Sequence, residues 1–246
     1  AMVNSVLVDK TLQGTKIITA RGAEFGDNLH VVEVVPREFS SLCAFYPILI
    51  TSNADSGAWT FVSILGFEPG ENLYLEGDAW DAGYVPLTVR RQPFQVVPQQ
   101  ITEEDGSTST VPALAIDLDS PRVNKKRGED LLDENGDPTE WFKSVNALVS
   151  QLVEGTSQAR QLLAKLEQLE LIEPLQFGVA LADGKARRLE GLNTINEVKL
   201  RELDDQTVLE LHRLGYLDCI YSMRASLGQL GALSRRKNAR VRASAS

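Results

Sequence analysis

The 246-residue chain predicts an α+β protein, with a β-rich N-terminal two-thirds and a helical C-terminal part that carries an inserted β-hairpin. Three observations predict it. Short β-branched and aromatic runs bounded by Gly, Pro and Asn clusters continue as far as Leu118; an apolar repeat of helical period begins after Pro138; and strand alternation returns between Leu175 and Ile195. A composition of 43% hydrophobic and 24% charged residues is the ordinary globular balance.

Taken in order, residues 46–51 are β-branched and aromatic. The turn cluster Asn53-Ala54-Asp55-Ser56-Gly57 then leads into 59–67, apolar on both faces as a central strand is. Glu68-Pro69-Gly70-Glu71 predicts a type II turn, because Pro presets φ at the second position and Gly accepts the positive φ of the third. Residues 72–75 are then the returning strand. Residues 84–91 and 94–97 read as further strands, with Pro86 and Pro93 limiting ladder pairing. A polar loop at 103–109 and a strand at 111–118 close a β-rich region, 1–120. Charge and turn residues then mark 121–138 as a charged linker or lid.

The helical region, 139–235, opens with Thr139 as N-cap. Trp141, Phe142, Val145, Leu148, Val149, Leu152 and Val153 form one apolar stripe, and Gly155 ends it. Thr156 or Ser157 caps a second helix with Leu162, Leu163, Leu166 and Leu169 on its buried side. Leu175, Phe177, Val179 and Leu181 alternate, Asp183-Gly184 suits a tight turn, and 189–195 returns, which gives a hairpin over 175–195. Asp204 or Asp205 caps a short helix ending near Gly215, and a last helix carries Leu217, Ile220, Leu227, Leu230 and Leu233. Residues 236–246 read as a disordered basic tail, whose removal is expected to shift the melting temperature by no more than about a degree or two.

The net charge of −9 is uneven. Every acid lies at or before Asp218, whereas Arg235, Arg236, Lys237, Arg240 and Arg242 crowd the end. An acidic body repels nucleic acid and anionic membrane, so neither is expected as its partner. No segment approaches a membrane span and the first residues carry no basic export signal, which points to a cytoplasmic setting. Cys43 and Cys219 stand far apart with no CxxC, consistent with a reducing compartment.

Chemical motifs are few. His30 and His212 have no ligand partners at zinc spacing. Asp133, Asn135 and Asp137 mimic the start of a calcium loop, but Pro138 stands at the sixth position and Ser144 at the twelfth, so the segment reads as a solvated turn. GxSxG, GxxxxGK[ST] and GxGxxG are missing, and His212 reads as structural. No catalytic residue, metal ligand or cofactor is assigned.

The run from Trp80 to Phe94 stands apart. It interleaves aromatics, prolines and two arginines, residue types that give rigid contact area and charge-assisted hydrogen bonds. Trp80, Tyr84, Arg90 and Arg91 are therefore the candidate binding residues. If 84–91 is extended, Val85, Leu87, Val89 and Arg91 share the core side and Tyr84, Pro86, Thr88 and Arg90 the open side. Arg90 is then the ligand contact and Arg91 the anchor of the fold.

Tyr46-Pro47-Ile48, Ile64-Leu65-Gly66 with Gly70-Glu71-Asn72-Leu73, and the Trp80, Tyr84-Val85-Pro86, Arg90-Arg91 and Pro93-Phe94 run together resemble the SapC family of bacterial proteins. Leu132-Asp133-Glu134-Asn135-Gly136-Asp137-Pro138, Leu211-His212-Arg213-Leu214-Gly215, and Ile220-Tyr221 with Ser226-Leu227 extend the likeness, while Gln92 and Leu132 replace residues that are commonly aromatic in that family. The resemblance implies an accessory or binding protein encoded near nutrient receptors, halogenase-like proteins and oxygenases, and its name implies a link to surface layers. It brings no catalytic residues. The expected function is therefore a cytoplasmic accessory protein that binds a protein, peptide or small molecule, oligomerisation being open. The alternatives are an enzyme with an Arg/carboxylate cleft or a surface-layer-associated structural protein.

Overall fold

A nine-residue strand can hold its register only if one face is dry, and the sequence supplies that alternation most fully between Phe94 and Asp117. In the computed structural model, which describes residues 4–53, 56–103, 105–180, 182, 184 and 186–244, strands concentrate in the N-terminal two-thirds and helices toward the C-terminus. The chain divides into two compact units, both discontinuous: Ala1–Asp27, Gly77–Ala79 and Leu87–Glu154 form the first, and Asn28–Glu76, Trp80–Pro86 and Gly155–Ser246 the second.

The first unit is built on the hairpin Phe94–Thr102 and Thr108–Asp117, paired antiparallel from Phe94↔Ile116 to Thr102↔Thr108. Ser5–Leu7 adds a third strand along the other edge of Thr108–Asp117. A second small sheet sets Lys16–Ile17 between Val123–Asn124 and Glu129–Asp130. Phe94, Ile116, Ile17, Leu131, Phe142 and Val145 meet in one apolar core. Thr139 caps the helix Glu140–Gln168 as expected: its Oγ1 accepts the Phe142 amide at 3.2 Å and donates to the Asp130 carbonyl at 2.7 Å.

Residues 121–138 are not a free linker or lid. Leu131 is fully buried and Arg122 is 1% exposed, so this segment is a wall of the first unit. Its charged positions hide isolated apolar ones, and its turns close on themselves. Asn124 Oδ1 accepts the amides of Lys126 and Arg127, and Asp133 Oδ1 those of Asn135 and Asp137. Gly128, at φ +112°, passes so close to the Ile17 carbonyl that a Cβ there would lie 2.2 Å from the oxygen.

The second unit centres on a five-stranded antiparallel sheet in the order Ile172–Pro174, Leu192–Ile195, Ile48–Ser52, Trp59–Ile64, Val31–Glu33. Its middle is apolar on both faces, with Ile48, Leu49, Ile50, Phe61, Val62 and Ile64 all buried. The Ile48 amide donates 2.8 Å to Ser226 Oγ at the end of the helix Tyr216–Ser226. The predicted type II turn is present: Gly70 has φ +79° and the Glu71 amide bonds the Glu68 carbonyl at 3.0 Å. Beyond it the chain bends instead of forming the expected strand, and the Leu73 amide on the Leu65 carbonyl joins this bend to the sheet. A hairpin lies within the predicted span 175–195, but its arms are Gly178–Ala180 and Ala186–Arg188, and the expected returning strand begins only at Leu192, where it joins the five-stranded sheet; Asp183 of the expected turn lies outside the described residues.

Three further expectations are corrected. Gly155 does not end a helix, because Glu140–Gln168 runs straight through it. A Cβ at 155 would sit 2.8 Å from Val35 Cβ, so glycine here serves a close approach whose helix cost is about 1 kcal/mol. Residues 84–91 are not a strand: Leu87–Arg90 is a helical turn, the Arg91 amide bonding the Leu87 carbonyl at 3.0 Å. Pro86 favours that turn, since its fixed φ suits a helix start.

The third correction concerns the tail. Gly228–Ser244 is helical, and Arg236, Lys237 and Arg240 on it are engaged within the second unit. Arg236 pairs with Asp81 at 2.6 Å and lies 4.5 Å over the Tyr74 ring; Lys237 pairs with Glu71 and, at 3.5 Å, with Glu68; Arg240 donates to the Leu75 carbonyl at 2.6 Å. Lys237 follows Leu230 and Leu233 onto the inner face, burying its stem while its ammonium reaches the acids. Truncation after Arg235 should therefore lower the melting temperature by roughly 5 °C or more in a thermal scan, at about 2–4 °C per kcal/mol for a chain of this size. An unchanged transition would show that the helix is idle.

Candidate functional site

The four residues singled out by the sequence fall in different units. Trp80 and Tyr84 belong to the second, where both are half-buried and their polar tips are engaged. Trp80 Nε1 donates 2.7 Å to the Tyr46 hydroxyl, which donates to the Tyr84 carbonyl; the Tyr84 hydroxyl donates 2.9 Å to Glu38 Oε2. Glu38 Oε1 in turn accepts the Val35 amide at 3.1 Å. Tyr74 lies 4.6 Å from the Tyr46 ring and donates 2.7 Å to the Phe45 carbonyl. Burial pushes the Tyr74 hydroxyl up to about 12 and raises that of Tyr46 as well, so both act as neutral donors. This chain of bonds holds the loops of the second unit together.

Arg90 and Arg91 belong to the first unit. Arg91 is half-buried, its Nη1 donating 2.5 Å to the Phe94 carbonyl. Arg90 is exposed and, among the described residues, has no ion-pair partner. It lines a cleft of about 250 Å³ together with Arg21 and Arg122.

The base of the cleft is set by Arg122. Its Nη1 donates to the Ile18 and Ala20 carbonyls at 2.9 and 2.8 Å, and its Nη2 to Asp27 Oδ1 at 2.8 Å. Asp27 is fully buried; Oδ1 also meets Arg21 Nη1 at 3.3 Å and Oδ2 accepts the Gly22 amide at 3.0 Å. Phe25 stacks under the Arg122 guanidinium at 5.7 Å. Burial lowers the Arg21 guanidinium below its ordinary value; Asp27 opposes that, while the like charges of Arg122 and Arg90 add to it. Two guanidinium groups, those of Arg122 and Arg21, thus share one carboxylate, with Arg90 adding a third positive charge nearby.

The helix Glu140–Gln168 supplies another wall. Trp141, Ser144, Val145 and Leu148 stand at i, i+3, i+4 and i+7, so they share one face. Gln92, Thr19, Ile17 and Ile18 complete the lining. The arrangement offers positive charge, neutral donors and an apolar surface, without a carboxylate or imidazole in the lining. Sequence reasoning placed Trp141 on its stripe and found Arg90, but missed Arg21 and Arg122. Nothing in their spacing signals that they meet.

Other features carry less chemistry. Burial, helped by Asp218, pushes the Cys219 thiol up to about 11, which keeps it protonated and a poor nucleophile near neutral pH. No group of three metal-ligating side chains occurs among the described residues, and among them no helix is long and apolar enough to cross a membrane.

Replacing Arg122 by alanine should leave the Asp27 carboxylate buried with weaker compensation, at a cost of about 3–5 kcal/mol, whereas Arg90→Ala should cost under about 1 kcal/mol. Urea denaturation of both variants checks this, and equal losses would refute it.

Compared with known proteins, the chain matches the protein-family model described as SapC over residues 7–233. No curated protein and no solved structure matches it.

Proposed function

The chain belongs to the SapC family, and on that premise we propose that it is a cytoplasmic accessory protein that binds a small anionic ligand without turning it over. The observation that carries this reading is the cleft of the first unit, where Arg90, without an ion-pair partner among the described residues, projects beside Arg21 above a buried Arg122–Asp27 pair. An exposed arginine has all five N–H donors to offer, and the buried pair beneath holds its neighbours in place without ligand. Preformed positive charge in a concave site favours anion capture, because little reorganisation opposes binding. The alternative of an enzyme working through arginines and carboxylates has less support, since the lining offers no side chain that exchanges a proton near neutral pH. Neither a surface-layer role nor a tie to nutrient uptake or halogenation draws on any feature of the cleft.

The test is titration of the whole protein with inorganic phosphate, with acetate and with benzoate, followed by calorimetry and by thermal stabilisation. Wild type should bind at least one of these anions. Arg90→Ala should bind it roughly ten-fold or more weakly with its transition unchanged, since a hydrogen bond to a charged group contributes about 1.5–3 kcal/mol. No binding by wild type, or unchanged binding by Arg90→Ala, would overturn the reading.

A further inference from the structure

The arginine cleft is larger and more apolar than an inorganic anion requires. Its volume of about 250 Å³ equals roughly eight water molecules at about 30 Å³ each, and half of its wall is carbon. Trp141 and Leu148 are the informative members. Both are only partly buried, although they pack on the same core as Phe94 and Val145, and both turn a remaining apolar surface to the cleft. They stand seven residues apart on one helical face, with the small Ser144 and the buried Val145 between them. Trp141 is steadied by Phe94, whose ring centre lies 6.2 Å away.

An inorganic anion held by Arg21 and Arg90 would leave this helical face wet. A sugar would set its hydroxyls against this apolar helical face, where the lining has only Gln92, Thr19 and Ser144 to accept from them. We infer that the ligand is a small organic carboxylate with a planar apolar body, its head on Arg21 and Arg90 and its body along Trp141 and Leu148. A carboxylate head suits the charge left over: Asp27 already offsets part of the arginine charge, and a planar two-oxygen group matches a guanidinium edge. A flat ring suits a tryptophan wall, where stacking adds to area burial. The inference rests on the anion-binding reading of the same cleft, and the experiment separates the two.

Benzoate, acetate, benzyl alcohol and inorganic phosphate are titrated separately into wild type, Leu148→Gln, Trp141→Phe and Arg90→Ala, with calorimetry and tryptophan emission as readouts. Benzoate should bind at least about ten-fold more tightly than acetate and phosphate, perturb the emission, and outcompete benzyl alcohol. Leu148→Gln should weaken benzoate several-fold and leave acetate unchanged, while Trp141→Phe, which keeps a planar wall, should retain benzoate and lose most of the emission change. If benzoate and acetate bind equally, or Leu148→Gln leaves benzoate unaffected, the planar-body inference is overturned while anion binding stands. If none of the three anions binds, both readings fall.

Discussion

A guanidinium shut away from water is tolerated only where its charge and most of its N–H groups are met, and Arg122 imposes that constraint on the first unit: both of its Nη groups are bonded, and its Nε alone is left without a partner among the described residues. Segment 18–27 contains a 3-10 turn but no ladder strand, yet it is fixed, because Ile18, Ala20 and Asp27 all converge on one side chain. The bond is returned: the Ile18 amide donates 2.9 Å to the Arg122 carbonyl. Asp27 then reaches Arg21, and the Gly22 amide closes the loop onto the same carboxylate. The position of Arg21 at the cleft therefore follows from a pair that never meets solvent.

The second unit meets an analogous demand with hydroxyls and a terminal helix. Tyr46, Trp80, Tyr84 and Glu38 pass hydrogen bonds from one loop to the next, so their aromatic bodies can be buried without stranded polar tips. Arg236, Lys237 and Arg240 bind the loop of residues 68–81 from the other end of the sequence. Exposed ion pairs contribute little, but Lys237 and Glu71 are largely sheltered, and the Arg236 contact adds ring stacking. An aromatic and arginine-rich sequence that looks like a recognition surface is here partly a device for holding irregular backbone.

These two solutions leave different residues available for function. Trp80 and Tyr84 have their polar groups occupied, whereas Arg90 has no ion-pair partner among the described residues, and it stands where the helix Glu140–Gln168 presents Trp141 and Leu148. Fixed donors beside an apolar face suit selective capture.

Local pattern was enough to determine the α+β class, the family likeness, the Thr139 cap, the type II turn at Pro69-Gly70 and the hairpin around Gly184, because each depends on residues within a few positions of one another. The helix through Gly155 and the helical turn at Leu87–Arg90 depended on what the rest of the chain brings close, such as Val35 against Gly155. The tail became a helix because acids some 155 to 166 positions earlier neutralise it. The cleft is the extreme case. Arg122 and Asp27 are 95 residues apart and meet only after folding, and a buried charge finds its partner by distance in space, which no periodicity along the chain records.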